Sequence, residues 1–380
     1  MAQPEYRVTL DGTAIDAAEL KLTRLEVRES DSDPTFCALR FDLAQREDGT
    51  FALLDDDLFR PGLALGIDLA MPGGTPLRLF EGYVTHLRPH FETIAANSYV
   101  EVLGMDAAVL MSAEERAASW PDSSDAQIVD EVCGRYNLSF QGDDTDATWA
   151  ADRQLFVHRG TDWDLVQRLA RRNGFLCYLE PDPHSGAMTV FFRPRGVADP
   201  PQADLTLLRD GANLTWLDLQ WVMTGPVRCA GAAIDPLAKR IVRAEGVPGL
   251  DPMGDGLLDT PIEDGLRRAG ASAATALLRD PLPLEAALQA EGRAATDRAL
   301  FTVEARGEVD PTLYRGLLRA RRPVLIKGVG RTFAGAYWVR AVRTTVDEGV
   351  ATQTFVAERN AVGTSGRERF GGSAEEVPAR

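Results

Sequence analysis

Two segments of the chain resemble each other. Phe80-Glu-Gly82 and Phe333-Ala-Gly335 each open with an aromatic residue, reach a glycine two positions later and lead through a turn into a second alternating strand. Internal similarity of this kind predicts two related β-domains rather than one catalytic core. Three copies of such a chain would present six similar units in a ring. The pattern therefore favours a duplicated β fold that assembles symmetrically.

The first 110 residues have the alternation of short strands. Alternating apolar positions occur at 6–10, 20–27, 36–43, 63–70, 77–87 and 99–103. Turn pairs such as Asp11-Gly12 and Pro61-Gly62 separate them. Several short strands joined by turns predict a first β-barrel over residues 1–110.

Helical periodicity begins after this region. Ser124 and Gln127 form a capping-box pattern before one helix, and a second helix is predicted from Thr161 to a stop at Gly174. Apolar strands at 175–179 and 188–192 then flank a turn. The sequence predicts a small α+β insertion over residues 111–205.

The remainder returns to strands. They are predicted at 214–222, 301–305, 323–327, 337–346 and 350–357, with a helix at 284–300 and an extended loop at 246–282. These elements predict a second β-barrel with a helix and a long loop over residues 206–362. Residues 363–380 have little to bury and are predicted to be a disordered tail.

Composition limits the classes of partner. The 380 residues include 57 acidic and 41 basic side chains, a formal charge of −16, which disfavours binding to nucleic acid or anionic lipid. No run of about 18 apolar residues is present, and residues 1–6 lack a secretory signal pattern, so we expect assembly in the cytoplasm without membrane insertion. The four cysteines, at 37, 133, 177 and 229, are widely spaced and are expected to be reduced and buried.

Candidate metal ligands do not form a convincing pattern. His86 and His90 would lie on the order of 13 Å apart on a strand, and His158 and His184 are expected to be solvated or capping residues. The segment from Asp251 to Asp259 resembles a calcium loop, but Met253 and Ile262 occupy positions where oxygen ligands are needed. No metal site and no cofactor are predicted.

Catalytic motifs are also missing from the sequence. Gly328, Gly330 and Gly335 have the wrong spacing for a dinucleotide fingerprint and are interpreted as turn residues. No nucleophile elbow or phosphate-binding loop occurs, so no catalytic residue is predicted and the protein is not expected to be an enzyme.

One basic cluster has two interpretations. Its members are Arg315, Arg319, Arg321, Arg322 and Lys327. The cluster forms either a solvated face or a subunit contact with acidic neighbours such as Asp55-Asp56-Asp57.

Three segments resemble the hub proteins of contractile injection machines, namely the late control gene D proteins of contractile-tailed phages and the amino-terminal half of type VI secretion spike proteins. They are residues 79–84 continuing through 100–110, residues 156–178, and residues 335–343 together with 354–360. The last segment contains a Gly-x-Tyr-x-Val strand starting at Gly335 and the Arg359-Asn360 pair. The order and spacing of the three segments carry the resemblance.

The resemblance implies a mainly β fold with an α+β insertion, in which two tube-protein-like β-barrel domains accompany a small α+β domain. It implies a homotrimeric structural hub that adapts a trimeric spike, expected to be a separate polypeptide, to a hexameric inner tube or tube initiator. Other baseplate components would be further partners, and the site would be a phage tail or a phage-like particle that is released from the cell. The alternative is a monomeric cytoplasmic ligand-binding β-protein.

Overall fold

The computed structural model describes residues 3–150, 156–208, 210–222, 225–271, 275–279, 282–314 and 316–366. The protein is mainly β with an α+β insertion, as the sequence predicts. Of the predicted tail, residues 367–380 lie outside the described residues.

The strands are β1 (Glu5–Leu10), β2 (Thr13–Ile15), β3 (Leu22–Ser30), β4 (Phe36–Asp42), β5 (Ala64–Ala70), β6 (Leu77–His90), β7 (Tyr99–Met105), β8 (Glu115–Trp120), β9 (Ser123–Ser124), β10 (Ser139–Gly142), β11 (Thr148–Trp149), β12 (Phe156–Thr161), β13 (Phe175–Pro181), β14 (Met188–Pro194), β15 (Gln202–Thr206), β16 (Leu214–Trp221), β17 (Arg228–Asp235), β18 (Arg240–Glu245), β19 (Thr275–Leu277), β20 (Val303–Val309), β21 (Arg322–Lys327), β22 (Gly335–Asp347) and β23 (Val350–Arg359). The helices are α1 (Ala52–Asp55), α2 (Ala108–Met111), α3 (Asp125–Arg135), α4 (Asp162–Asn173), α5 (Asp259–Arg268), α6 (Glu285–Leu300), α7 (Pro311–Tyr314) and α8 (Gly330–Phe333), with a 3₁₀ turn at Ala95–Asn97.

One sheet of 13 strands contains two sets of six with the same topology. The first set, here the first module, runs β3-β4-β7-β6-β5-β1, and the second module runs β16-β20-β23-β22-β21-β15. Numbered by chain order within each module, both read 2-3-6-5-4-1. The modules differ at one end, because β1 is antiparallel to β5 whereas β15 is parallel to β21. The two modules are thus a duplication of strand order.

β-Bulges occur at matching places in the two modules. β3 and β16 each bulge one residue after their first paired leucine, at Thr23 and Thr215. β6 and β22 bulge at Thr85 and Arg340, where their pairing with β7 and β23 slips by one residue. Because bulges are positional features of a strand, their coincidence fixes a residue-by-residue correspondence between the modules.

This correspondence identifies a repeat that the sequence reasoning missed. Leu22-Thr-Arg-Leu-Glu-Val in β3 matches Leu214-Thr-Trp-Leu-Asp-Leu in β16, position for position. The glycines that first suggested a repeat are not equivalent. Val84 corresponds to Val339, so Gly82 corresponds to Tyr337 rather than to Gly335.

Each module has its own apolar core, but the core of the first module includes residues of the second. The first module packs around residues such as Leu39, Phe41 and Phe80, and its core also receives Val346 and Ala351 from the second module. The second module has its own core around Tyr337 and Phe355. The two modules therefore share one sheet, and their apolar residues also pack against each other.

The insertion packs α3 and α4 against the β13–β14 hairpin. The predicted capping box is present, with Ser124 accepting from the N–H of Gln127 and the Gln127 side chain accepting from the N–H of Ser124. Thr161 caps α4, which ends at Gly174 with a left-handed φ of 72°. Leu165, Leu169 and other apolar residues of these helices form the insertion core.

The predicted loop over 246–282 is wrong in part. It contains helix α5 and strand β19, and Ile262 of α5 is fully buried in the core of the second module. The structure also contains the β17–β18 hairpin, which the sequence reasoning did not identify.

Candidate assembly surfaces

In the part of the chain that the structure describes, one strand pair joins the sheets of the two modules. β22 first pairs with β21 through residues 335–339 and, after its bulge, pairs with β3 through residues 341–347 on the same side. The peptide of Arg340 marks the branch, since its carbonyl accepts from the N–H of Asp31 at 2.9 Å. We call the β22–β3 pairing the internal seam.

Charged side chains cross the internal seam. Glu26 of β3, which is buried, accepts hydrogen bonds from Arg343 of β22 and from Arg24 and Arg28 on its own strand. Burial alone would raise the pKa of Glu26, but the hydrogen bonds from Arg343 and Arg28 outweigh it and lower the pKa. The carboxylate is therefore held ionised as a bridge between the modules.

A second, buried set of charges lies where both modules meet the insertion. Arg319 Nε lies 2.8 Å from Glu29 Oε1 and Arg319 Nη2 lies 3.7 Å from Glu180 Oε1. Arg322 also binds Glu180. Burial would raise the pKa of Glu180, but the positive charges of Arg322, Arg319 and Arg321 prevail and lower the pKa to about 2. These residues tie the second module to the first module and to the insertion.

Arg321 completes this junction with neutral partners. Its Nε donates to the Ser30 carbonyl at 2.8 Å and its Nη2 to Thr35 Oγ1 at 3.1 Å. The guanidinium carbon lies 4.6 Å from the centre of the Tyr178 ring, a cation–π distance. One side chain thereby contacts both the first module and the insertion.

Arg195, at the end of the insertion, joins two buried carboxyls. Its guanidinium lies 3.2 Å from Asp31 and 2.6 Å from Glu358, and the indole N–H of Trp338 donates to Asp31 at 3.1 Å. Burial raises the pKa of both Asp31 and Glu358 despite the charge of Arg195. The contact fixes the carboxyl end of β23 to Asp31, which directly follows β3 of the first module.

Arg319 and Arg321 of the basic cluster are therefore internal, and neither interpretation from the sequence is correct for these two residues. Arg319 and Arg321 are buried, and Lys327 lies 3.1 Å from Asp204 of β15. Arg315 lies outside the described residues. The proposed acidic partners are engaged elsewhere, since Asp56 pairs with Arg46 and Asp57 lies 3.9 Å from Arg60.

Within the described residues, several strands of the 13-stranded sheet have an edge without a strand partner, and two of these edges, on β16 and β6, matter here. β16 pairs only with β20, so its outer edge is open. β6 pairs with β5 up to Tyr83, and Val84 is hydrogen-bonded to Gly62 and Leu63 just before β5, so residues 85–90 have β7 on one side and no strand on the other. Edges of this kind present N–H and C=O groups that another strand can satisfy.

An exposed apolar patch lies on the β17–β18 hairpin. Ile234 and Ile241 face each other across the hairpin, and Leu237 lies in its turn; all three are exposed. The opposite face of the hairpin packs Val242 and Ala244 against Leu288 of α6. The patch is thus presented outward by a supported hairpin.

A polar cavity of about 300 Å³ lies between the first module and the turn of the β13–β14 hairpin. Arg7, Arg78 and Glu81 line it. Arg78 is held there by Asp68 and by Glu81, whose pKa is raised because the group is buried. Under the alternative ligand-binding function, this cavity would be the binding site.

The histidines considered as ligands are separated by the fold. His86 and His90 are exposed on β6 and His184 is exposed in a turn. His158 is buried, against expectation, with Nε2 3.1 Å from the Thr161 carbonyl and Nδ1 accepting from Arg168 at 3.0 Å. No group of three potential metal ligands occurs in the part of the chain that the structure describes.

The segment resembling a calcium loop is held by the carboxyl end of β23. Asn360 accepts from the N–H of Met253 at 2.9 Å and donates to the Asp251 carbonyl at 3.1 Å. Arg359, fully buried, donates to the Met253 carbonyl. Arg359 and Asn360, the pair that contributes to the family resemblance, therefore anchor this segment to the second module.

The sequence interpretation holds for three of the four thiols and for Gly328 and Gly330, but Gly335 is the first residue of strand β22 rather than a turn residue. Cys37, Cys133 and Cys177 are buried and unpaired, Cys229 is half-buried, and burial raises the pKa of Cys133 to about 12. Gly328 and Gly330 have positive φ values of 88° and 80°, as turn glycines do.

A family model described as the Alg8 N-terminal domain matches residues 2–192, half of the chain. The chain belongs to this family. The match covers the whole first module and nearly all of the insertion. None of the curated proteins matches the chain.

The fold is shared with solved tail proteins. The 43 kDa tail protein of prophage MuSo2 from Shewanella oneidensis is 14% identical, with 94% of this chain and 99% of that chain covered and a TM-score of 0.60. A tail protein from Neisseria meningitidis is 10% identical, with coverages of 95% and 98% and a TM-score of 0.61. An Escherichia coli component of the type VI secretion system, described as similar to T4 bacteriophage gp27 and gp5, is 13% identical, with coverages of 98% and 80% and a TM-score of 0.55.

Among the described helices, none combines the length and the apolar character needed to cross a bilayer.

Proposed function

We propose that the protein is the structural hub of a contractile phage tail or phage-like injection system, in which a homotrimer adapts a trimeric spike to a hexameric inner tube. The duplicated 2-3-6-5-4-1 strand order carries the proposal. Because each chain contributes two like modules, three chains supply six similar units, which is the symmetry that a hexameric ring requires on one face. The fold shared with phage tail and type VI secretion proteins supports the same assignment.

The proposal includes the partners. The spike is a separate trimeric protein, the tube or a tube initiator binds the ring of modules, and other baseplate components surround the hub. The hub performs no catalysis and binds no nucleic acid. It assembles in the cytoplasm and becomes part of the particle.

Mass measurement tests this function. Mass photometry of the full chain, alone and after addition of candidate spike and tube proteins from the same gene cluster, should show a species of three times 41.4 kDa or a complex containing it. Imaging should show a threefold particle seated under a sixfold ring. A chain that remains at 41.4 kDa under all these conditions would contradict the hub and favour the ligand-binding alternative.

A further inference from the structure

Each side of the internal seam has an equivalent elsewhere in the chain that lacks a partner. The correspondence set by the bulges places β22 residues 341–345 at β6 residues 86–90, and β3 residues 24–29 at β16 residues 216–221. β22 and β3 pair with each other. Their equivalents, the second half of β6 and the outer edge of β16, have no strand partner among the described residues.

The charges of the internal seam are repeated at the open edges. Arg343 corresponds to Arg88, and Glu26 corresponds to Asp218. Arg343 and Glu26 form an ion pair across the internal seam. Arg88 and Asp218 are both exposed, and Arg88 approaches Glu101 only at 3.8 Å. The open edges therefore present a complementary pair in the same positions.

Apolar exposure coincides with the same edges. Leu25 and Val27 of β3 are each 1% exposed, whereas their equivalents Leu217 and Leu219 in β16 are only half-buried. Trp216 and Trp221 of β16 are 40% and 42% exposed. Phe91, directly after β6, is 55% exposed. Apolar residues along an open strand edge are a liability unless another strand covers them.

We propose that β16 of one copy pairs with residues 86–92 of a second copy, in the antiparallel register of the internal seam. This inference rests on the proposed self-assembly and names its interface. In this register Arg88 faces Gln220 and His90 faces Asp218 of the neighbouring copy, so that Arg88 reaches Asp218 diagonally as Arg343 reaches Glu26. Trp221 lies opposite Leu87. The occupant of each open edge is thus a second copy of the chain.

The direction of the backbone groups follows from the internal seam. The N–H of Asp31 donates to the Arg340 carbonyl, and the N–H of Glu348 donates to the Thr23 carbonyl, so the even-numbered residues of β22 point towards β3. Pro89 corresponds to Thr344 and has no N–H to donate. The seam between copies therefore has one hydrogen bond fewer than the internal seam, and Pro89 limits pairing of this edge with unrelated strands.

Pairing of this kind is heterologous, because β16 and β6 are different surfaces of the same chain. Repeated heterologous contacts give a closed ring or an open filament, depending on the rotation between units. In a ring of three copies, internal seams and seams between copies alternate, and every module contacts its neighbours through the same two strand types. The sheet would then run unbroken through all six modules.

Disulfide trapping tests the register directly. Arg88 and Gln220 would form a non-hydrogen-bonded pair, whose Cα separation of about 4.5 Å suits a disulfide. In the full chain carrying Cys229→Ser, the double variant Arg88→Cys with Gln220→Cys should form covalent trimers on mild oxidation, read on non-reducing gels. The matched control pairs Arg88→Cys with Arg306→Cys, because Arg306 is exposed on β20, one strand inward from the seam.

Charge reversal tests the ion pair. Asp218→Arg and Arg88→Asp should each raise the concentration needed for half-assembly by at least about tenfold, and the double variant should restore assembly. The control Arg267→Glu changes an exposed charge on α5, outside the seam, and should leave assembly unchanged.

The outcomes separate this inference from the proposed function. Covalent trimers together with rescue by the double reversal support the seam. A trimer that forms normally but neither crosslinks nor responds to either reversal overturns the seam and leaves the hub function standing. A chain that stays monomeric even with spike and tube proteins overturns both.

Discussion

Arg319 Nε lies 2.8 Å from Glu29 Oε1, although the two residues are 290 positions apart in the chain. Both side chains are buried, so the pair is shielded from solvent. Removing one partner from a buried ion pair leaves an uncompensated charge, which costs far more than losing an exposed pair.

We therefore expect Arg319→Ala to lower the free energy of unfolding by about 3–5 kcal/mol, measured by urea denaturation. The control is Arg306→Ala, which removes an exposed pair with Glu304 and should cost less than about 1 kcal/mol. Equal effects of the two substitutions would show that the buried Arg319–Glu29 pair contributes no more to stability than an exposed ion pair.

Glu26→Gln tests the internal seam. Charge-assisted hydrogen bonds to Glu26 should make the substitution cost about 1.5–3 kcal/mol at pH 7. Because the pKa of Glu26 is lowered in the folded state, its contribution is present above pH 4.5, the ordinary pKa, and is lost as the pH falls further. The difference between variant and wild type should thus shrink in acid; a difference independent of pH would contradict the ionic role.

Asp106 has the opposite pH dependence. Burial raises the pKa of its carboxyl to about 6, although the N–H groups of Thr35 and Ala108 donate to it at 2.6 and 3.0 Å. Since the folded pKa lies above the ordinary 3.8, protonation stabilises the fold below that pH, and the contribution is lost as the pH rises through about 6.

We expect the stability of Asp106→Asn relative to wild type to rise by about 2 kcal/mol between pH 4 and pH 7, measured by denaturant titration at each pH. Asp33→Asn, at an exposed carboxyl in the nearby turn, is the control and should show no such trend. A flat profile for Asp106→Asn would refute the buried-carboxyl explanation.

Gly82→Ala tests the close packing of β6 on β7. A Cβ at Gly82 would lie 2.2 Å from the Met105 carbonyl oxygen, which is backbone and cannot swing away. We expect a loss of about 1–3 kcal/mol in thermal or urea unfolding. The control Gly134→Ala, in helix α3 with no atom within 4 Å of the new Cβ, should instead stabilise by about 0.5–1 kcal/mol. Destabilisation of similar size at both positions would argue against the steric explanation.

Local patterns in the sequence predicted the regular elements well. Ser124 and Gln127 located the start of α3, and Gly174 located the end of α4, because capping depends on residues within one turn. Alternation predicted β4 and β5 within a residue or two. The loop prediction failed over α5 because Pro261 and Gly265 suggested a break, whereas proline is tolerated in the first helical turn.

Long-range features could not be predicted in the same way. Arginine is usually found on the surface, so the residue type alone gives no reason to expect Arg319 and Arg321 in the interior. Their partners Glu29, Thr35 and Tyr178 are distant in the sequence and come close only in the folded chain. β17 was missed because Ala230, Gly231 and Ala232 have low strand propensity. The Leu-Thr-x-Leu repeat of β3 and β16 was visible in the sequence, but only the register of the strands shows that it marks equivalent edges.

The first half of β22 pairs with β21 of the second module, and its second half pairs with β3 of the first module. The two modules are therefore joined by one continuous strand and not by a flexible linker. The backbone hydrogen bonds of the internal seam and the Arg343–Glu26 ion pair hold this strand in place. Any rotation of one module against the other would have to break the backbone hydrogen bonds between residues 341–347 and β3.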